Sequence, residues 1–267
     1  MATLSRDGVA IAYETTPAPP GAPTVVFLHN IMCDRRVFAH AVAALRPRFG
    51  TVAIDFRGHG GSALPARPFT VGDLVGDVVA VMDKEGVARA VVVGLSLGAT
   101  VAMELALRAP ERVERLVLMG ADAAPDRAIN RLRNWLFCQL VVVLGLRWFL
   151  LRGVLQTIFG RWFRTEGGDN YRVLRDRVAA LSPRAAQSAM RAWGGRRPLL
   201  AAVGGLRMPV RIVVGDEDVS CPLPCGQRLQ AAIAGADLVR VPHAGHTMTA
   251  ERPEETTAAI ASFLGAA

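Results

Sequence analysis

The chain has 267 residues, four cysteines and a formal net charge of +8. This length allows one α/β domain with a large core and one inserted segment. Four scattered cysteines exclude a disulfide framework, and the spacing of Cys221 and Cys225 is not that of a zinc site, so we expect reduced thiols in a cytoplasmic protein. The polar, alternating segment Met1–Glu14 lacks the pattern of a secretion signal, and we expect no secretion.

The positive charge is concentrated in one part of the chain. Residues 127–207 contain 15 arginines and three acidic residues, a local charge of +12, which leaves −4 for the rest of the chain. An excess of arginine is typical of nucleic-acid-binding proteins. This basic segment is rich in large aliphatic residues and the remainder is acidic, so we predict no nucleic-acid partner.

Seven short segments predict the strands of a sheet. The first alternates in polarity and the other six are continuous apolar runs: Val9–Thr15, then Thr24–Leu28, Thr51–Ile54, Ala90–Val93, Leu116–Met119, Val210–Val214 and Leu238–Val241. Continuous apolar strands need cover on both faces, which is typical of a parallel sheet between two layers of helices. Helices are predicted at Val37–Leu45, Val71–Glu85, Thr100–Arg108 and Glu254–Leu264. The sequence therefore predicts an α/β fold.

The alternation of strands and helices stops between Leu118 and Val210. Residues 123–206 contain no convincing strand, which predicts a helical insertion in a core formed by residues 1–122 and 207–267. Its apolar centre is interrupted by Arg147 and Arg152 before it reaches the roughly 20 apolar residues of a membrane-spanning helix. We interpret it first as a pair of apolar helices over the core, and second as helices that also insert into a membrane interface.

The segment Gly94–Gly98 reads Gly-Leu-Ser-Leu-Gly and lies between a predicted strand and a predicted helix. Small residues on both sides of Ser96 allow a sharp turn that exposes the serine hydroxyl, as in a nucleophile elbow. Taken alone, five residues of this pattern are equally compatible with a glycine-rich turn.

A serine nucleophile needs a base, a carboxylate that orients the base, and donors for the oxyanion. His246 follows the last predicted strand and is the candidate base, with His243 as the alternative. Asp218 follows the strand before it and can hold the imidazole tautomer. Sites of open α/β sheets gather at such strand ends, so we expect these groups to meet Ser96.

Together these motifs resemble the α/β-hydrolase family, in its cap-bearing, esterase-like branch. The matching segments occur in the family's order: His29-Asn30, Asp55–Ser62, Gly94–Gly98, Gly215–Asp218, and Gly245-His246 followed by Glu251-Arg252-Pro253. The resemblance implies a mostly parallel central sheet with helices on both faces and a helical cap inserted after the sixth strand. It also implies that the Asp55–Ser62 motif is a structural turn and that His29 supports the oxyanion loop.

By this resemblance Ser96 is the nucleophile, His246 the general base and Asp218 the orienting acid. Asp216 and Asp122 are alternative acids.

The resemblance places the oxyanion hole at the backbone N–H groups of Ile31 and Leu97. Relatives usually have glycine where this chain has Asn30, so we expect Asn30 to adopt a left-handed backbone conformation. No metal or organic cofactor is implied, because the three side chains and two backbone donors supply the whole mechanism.

These residues predict a serine hydrolase that cleaves carboxylic esters of hydrophobic acyl or alkyl groups through an acyl-enzyme. Serine rather than aspartate at the elbow argues against haloalkane dehalogenase and epoxide hydrolase chemistry. Lactone or thioester hydrolysis and acyl transfer, including perhydrolysis, are alternatives on the same residues. Carbon–carbon hydrolysis ranks lower, because Thr247 follows His246 where such enzymes usually have tryptophan, and a non-catalytic ligand-binding role ranks lower as well.

The insertion is expected to set the choice of substrate. Candidate pocket residues are Asn30, Trp135, Trp148 and Phe149, which favour a hydrophobic substrate. An apolar, basic insertion is also suited to contact with an anionic membrane surface or an acidic carrier protein. We therefore expect a cytoplasmic protein with possible peripheral attachment to a membrane.

Overall fold

A computed structural model describes residues 1–125, 128–145 and 148–265, except the side chains of residues 128–131, 133, 134, 138, 142 and 148. Within these residues, eight strands form one sheet in the order β1-β2-β4-β3-β5-β6-β7-β8. Their bounds are Ala2–Arg6, Val9–Thr16, Thr24–Leu28, Gly50–Ile54, Ala90–Leu95, Val113–Met119, Val210–Gly215 and Asp237–Val241 for β1 to β8. Strand β2 is antiparallel to both of its neighbours, and the other neighbouring strands are parallel.

Helices connect the strands and cover the sheet. In the described residues, α1 to α6 span Ala39–Leu45, Val71–Lys84, Leu97–Arg108, Ala128–Leu144, Trp148–Ile158 and Arg161–Glu166, and α7 to α11 span Gly168–Ala179, Pro183–Gly194, Leu223–Ala232, Met248–Glu251 and Pro253–Phe263. Successive side chains of a strand point to opposite faces. In β3, Val25 and Phe27 pack with α1 and α11, whereas Val26 and Leu28 pack on the face covered by α2, α3 and α9. Both faces are therefore buried, which confirms the predicted α/β class and explains the continuous apolar runs.

All seven predicted strands are present. Strand β1 was not predicted because it is an edge strand: each of its side chains is at least partly exposed, so it has no apolar run. Helix α9 was not predicted either. Its buried residues are Cys225, Gly226 and Leu229, too few to produce a helical period.

The described residues between β6 and β7 contain the helices α4 to α8 and no strand. We call these five helices the insert. A separate apolar cluster inside the insert includes Val141 of α4, Leu155 of α5 and Val178 of α7, and it extends to Met32 in the loop after β3. Among the described residues, no helix has both the length and the apolar character needed to cross a bilayer.

The turn after β4 is held by its own polar side chains. The buried carboxylate of Asp55 accepts the N–H of Gly61 (2.8 Å), and its backbone carbonyl accepts the hydroxyl of Ser62 (2.7 Å). Arg57 donates two hydrogen bonds, of 2.6 and 2.7 Å, to the buried carboxylate of Asp77. These contacts agree with a structural role for the Asp55–Ser62 motif.

Candidate active site

Ser96 lies in a sharp turn between β5 and α3. Its backbone has φ 56° and ψ −109°, a region that side chains other than glycine rarely adopt. Two hydrogen bonds hold this conformation: the N–H of Ser96 donates to the carbonyl of Met119 (2.9 Å), and the carbonyl of Ser96 accepts the N–H of Thr100 (3.0 Å). The hydroxyl forms no capping hydrogen bond with α3, although Ser96 is the N-cap residue of that helix. The turn therefore leaves this hydroxyl out of the helix hydrogen bonds.

The two glycines of the motif are required by close backbone contacts. A Cβ atom on Gly94 would overlap the carbonyl oxygen of Gly98, and a Cβ atom on Gly98 would overlap the carbonyl oxygen of Leu28. The N–H of Gly98 also donates to the carbonyl of His29 (3.1 Å). The glycine spacing is thus explained by packing of α3 against the end of β3, which a glycine-rich surface turn would not need.

His246 and Asp218 form a buried pair. The Nδ1–H of His246 donates to Oδ2 of Asp218 (2.8 Å), and the other carboxylate oxygen accepts the N–H groups of Ser220 and Cys221 (2.8 Å each). Burial raises the pKa of Asp218, but the attraction of His246 and these hydrogen bonds bring it below its ordinary value. Burial lowers the pKa of His246, and the Asp218 carboxylate more than reverses this, so the pKa is raised. An ionised Asp218 therefore stabilises a positive charge on His246.

Gly120 places this pair next to the turn of Ser96. A Cβ atom on Gly120 would lie 3.1 Å from Nδ1 of His246 and 3.2 Å from Oδ2 of Asp218. Gly120 directly follows Met119, whose carbonyl holds the N–H of Ser96. The end of β6 thus brings the three predicted residues to one place. Within the described residues, no hydrogen bond joins the Ser96 hydroxyl to the imidazole.

The alternative base, His243, and the alternative acids, Asp216 and Asp122, lie in different surroundings from the His246–Asp218 pair. The side chain of His243 is 60% exposed. Asp216 is bonded to Arg240 (2.8 Å), and Asp122 lies 3.2 Å from Arg228. In the part of the chain that the structure describes, none of the three is hydrogen-bonded to the pair described above.

Two predicted oxyanion donors, one in the loop after β3 and one at the start of α3, have no acceptor in the described structure. Within the described residues, the N–H groups of Ile31 and Leu97 donate to no backbone or side-chain acceptor. The expectation for Asn30 was wrong: its φ is not positive, and the left-handed residue in this loop is Met32, with φ 70°. The loop therefore turns two residues later than the resemblance implied.

His29 holds this loop through two hydrogen bonds of its imidazole ring. Its Nδ1–H donates to the carbonyl of Asn30 (2.7 Å), and its Nε2 accepts the N–H of Phe56 (2.9 Å). Because Nε2 accepts, the imidazole is neutral. Burial lowers the pKa of His29 to about 4, in agreement with this assignment.

Thr247 connects the histidine loop with the oxyanion loop and the insert. Its hydroxyl accepts a hydrogen bond from Nδ2 of the buried Asn30 (3.1 Å) and donates to the carbonyl of Ile158 at the end of α5 (3.0 Å). Its backbone N–H also donates to that carbonyl (3.0 Å). A shift of the insert at Ile158 would therefore act on the residue next to His246.

Glu251 is a second connection between the insert and the histidine loop, and the sequence pattern around it predicted no role for its side chain. Its side chain is buried, and its Oε2 accepts the N–H groups of Gly160, in the insert, and of Gly245 (2.8 Å each). Its Oε1 accepts the N–H of Thr247 (2.9 Å). Burial raises the pKa of Glu251 to about 7, against the lowering effect of the three hydrogen bonds. One carboxylate thus joins the insert to both sides of His246.

The structure describes the exposure of two of the three aromatic side chains predicted to line the pocket. Trp135 is 54% exposed and Phe149 is 45% exposed, so neither lies in an enclosed pocket. The side chain of Trp148 lies outside the described residues. A cavity of about 350 Å³ lies instead between α7 and two core loops, and its lining includes Met32, Cys33, Gly58, Leu174, Arg177 and Val178. No sequence pattern indicated this cavity, because it forms between distant segments.

The described residues contain free thiols and no cluster of metal ligands. Cys33, Cys221 and Cys225 are free thiols, and the side chain of Cys138 lies outside the described part. In that part, no group of three or more His, Cys, Asp and Glu side chains is placed to hold a metal ion.

Replacement of Asp218 by Asn is expected to reverse the direction of the pKa shift of His246. With Asp218 present, the folded-state pKa lies above the ordinary value of about 6.5. Without its charge, burial is the remaining large effect, and the pKa should fall below that value. An NMR titration of the His246 ring nitrogens measures both values. An unchanged pKa in the Asp218→Asn variant would contradict the assigned pair.

Replacement of Glu251 by Gln is expected to loosen the contact between the insert and the histidine loop. The NH₂ group cannot accept a hydrogen bond. In place of Oε2 it leaves the buried N–H groups of Gly160 and Gly245 without their acceptor, at a cost of about 1–3 kcal/mol each, and in place of Oε1 it leaves the N–H of Thr247 with the carbonyl of Ile158 alone. Hydrogen exchange of peptides covering residues 158–162 and 243–248 should become faster. The exposed Glu111→Gln serves as the control. Equal hydrogen-exchange rates in Glu251→Gln and Glu111→Gln would contradict the proposed link between the insert and the histidine loop.

Comparison with curated proteins gives close matches over the full length. The chain is 30% identical over 279 residues to the "Putative carbamate hydrolase RutD" of Caulobacter segnis, covering 99% of each protein. It is 26% identical to "3-oxoadipate enol-lactonase 2" of Acinetobacter baylyi, covering 98% of this chain and 96% of that protein.

Solved structures and the family profile agree with these matches. The enol-lactonase from Burkholderia xenovorans LB400 superimposes with a TM-score of 0.90 at 27% identity, covering 99% of this chain and all of the other. The profile described as "Alpha/beta hydrolase family" matches residues 25–260. The chain therefore belongs to the alpha/beta hydrolase family and is a hydrolase.

Proposed function

We propose that this hydrolase cleaves carboxylic esters of hydrophobic acyl or alkyl groups with Ser96 as nucleophile. The observation that carries the proposal is the buried His246–Asp218 pair, whose position beside Gly120 is adjacent to the strained turn of Ser96. A positive φ at a serine costs about 1–3 kcal/mol and persists only where the surroundings enforce it. Such strain at a serine next to a His–Asp pair supports a catalytic role.

The proposed mechanism follows from these positions. Nε2 of His246 takes the proton of the Ser96 hydroxyl while the oxygen attacks the ester carbonyl carbon. Asp218 stabilises the imidazolium, which then gives its proton to the leaving alcohol as the acyl-enzyme forms. A water molecule attacks the acyl group, again with His246 as base, and the acid leaves as Ser96 regains its proton.

The free amides of Ile31 and Leu97 are the proposed oxyanion donors. Both lie beside the site, and neither has another acceptor within the described residues. Backbone donors of this kind stabilise the charge that develops on the carbonyl oxygen, typically by about 3–4 kcal/mol for one donor.

The insert supports a hydrophobic substrate. Its inner cluster is apolar and continues to Met32, next to the proposed donor Ile31. We assign residues 123–206 as a cap over a core of residues 1–122 and 207–267. Lactones fit the same chemistry, and two of the similar proteins are named enol-lactonases.

Carbamate hydrolysis is a second candidate, favoured by one observation. Oδ1 of the buried Asn30 has no hydrogen-bond partner among the described residues. This acceptor lies one residue before Ile31, and a carbamate carries an N–H group next to its carbonyl, which an ester does not. The relative named as a carbamate hydrolase is consistent with this candidate.

The expected substrate profile separates the two candidates. Hydrolysis of p-nitrophenyl esters should increase with acyl length, and Ser96→Ala should lower kcat by at least about 10³-fold, since the nucleophile is lost. The isosteric pair p-nitrophenyl pentanoate and p-nitrophenyl N-propylcarbamate differs by one N–H in place of a CH₂. Faster turnover of the carbamate would favour the second candidate.

The exposed Ser5→Ala in β1 is the matched control and should retain full activity. Ester hydrolysis by Ser96→Ala at the rate of this control would refute the proposed nucleophile.

A further inference from the structure

The outer face of α4 is an apolar stripe. Large apolar side chains are exposed along this face: Leu132, Trp135, Leu136, Leu140, Val143 and Leu144. Their spacing of three, four, seven and eight residues is that of one side of an α-helix. At 1.5 Å per residue the stripe is about 18 Å long. Exposed apolar surface of this extent marks an interaction site.

The opposite face of α4 belongs to the insert. Val141 is buried in the inner cluster, which also contains Met32 of the core. The stripe therefore is not an unpacked core helix, since α4 already has its intramolecular contacts on the other side.

Charge selects among the possible occupants of the stripe. From Arg127 to Thr165 the sequence has seven arginines and no Asp or Glu. In the described part of this segment, Arg152 in α5 and Arg161 in α6 are exposed. Two copies packed through this face would bring together two arginine-rich segments without a counter-charge. An anionic surface supplies that counter-charge.

We infer that the stripe docks the protein on an anionic lipid bilayer. Leucine, valine and tryptophan on one helix face, with arginine in the same segment, are the composition of helices that lie in a membrane interface. Tryptophan prefers the headgroup level, where its ring is buried and its N–H remains hydrated. Arginine near the surface adds attraction to acidic phospholipids. An acidic carrier protein would need several polar contacts at the stripe, which offers only the indole N–H of Trp135 and the side-chain amide of Gln139 among six large apolar side chains.

Docking in this way would deliver hydrophobic substrates to the site. Val141 of α4 and Met32 of the oxyanion loop belong to one apolar cluster, so an ester partitioned into the bilayer would meet apolar side chains on its way to Ser96. This consequence rests on the proposed function, whereas the docking itself does not.

Flotation with vesicles tests the inference. The full chain should bind vesicles of phosphatidylcholine with phosphatidylglycerol at least about tenfold more tightly than vesicles of phosphatidylcholine alone. The triple variant Leu132→Ser, Leu140→Ser, Val143→Ser should lose at least about tenfold in affinity, because its apolar stripe is interrupted. The double variant Arg147→Glu, Arg152→Glu should lose a similar factor for anionic vesicles only.

Val173→Ser, at an exposed apolar position of α7, is the matched control and should bind as the unchanged protein does. Circular dichroism and the hydrolysis of a soluble p-nitrophenyl ester should be the same in all variants, which separates a docking defect from misfolding or a failed catalytic assignment.

Four results would overturn the inference. If the protein binds neither kind of vesicle, or binds both kinds equally tightly, an anionic bilayer is excluded as the occupant. Unchanged binding by the triple variant would show that the stripe is not the docking surface. A dimer in solution that the triple variant abolishes, without vesicle binding, would assign the stripe to a second copy of the chain.

Discussion

The close contact between α3 and the end of β3 is the constraint on which the site depends. There is no room for a side chain between Gly98 and the carbonyl of Leu28, and the N–H of Gly98 is bonded to His29. This contact brings the start of α3 to the carboxyl end of the sheet and forces Ser96 into a left-handed turn. The amide of Leu97 is then left without an acceptor in the described structure, beside the loop that carries Ile31. Strain at one residue and a free amide at the next therefore have the same cause.

A second close contact fixes the histidine loop. A Cβ atom on Gly160 would lie 2.9 Å from the nitrogen of Gly245, so the insert touches the core directly before His246. The carboxylate of Glu251 satisfies the amides of both glycines, which would otherwise be buried without acceptors. The hydroxyl of Thr247 extends the connection to Asn30 in the oxyanion loop. The position of the insert and the geometry of the site are thus coupled through hydrogen bonds of the Glu251 and Thr247 side chains.

Sequence patterns predicted those features that depend on local chemistry. The strands buried on both faces were readable as apolar runs, and Ser96, Asp218 and His246 were placed together because parallel strands end at one edge of a sheet. Sequence patterns did not predict the contacts between distant segments. The space that Gly120 leaves for the His246–Asp218 pair, and the reach of Glu251 to Gly160, depend on tertiary packing.

One expectation about the oxyanion loop was wrong. Asn30 was expected to need a left-handed backbone, but the loop has that conformation at Met32. The pocket role of Trp135 stays a prediction: α4 has large apolar residues on both sides, and composition did not show which side faces inward. The orientation of both segments is set by packing that a single sequence does not encode locally.

The central claim is that Ser96 is the nucleophile activated by His246. The most direct measurement is reaction with a fluorophosphonate, followed by intact-protein mass spectrometry and mapping of the modified peptide. The account predicts one equivalent of label on Ser96, and a much lower labelling rate in His246→Ala. Label on another residue, or no label on a protein that hydrolyses esters, would contradict the account.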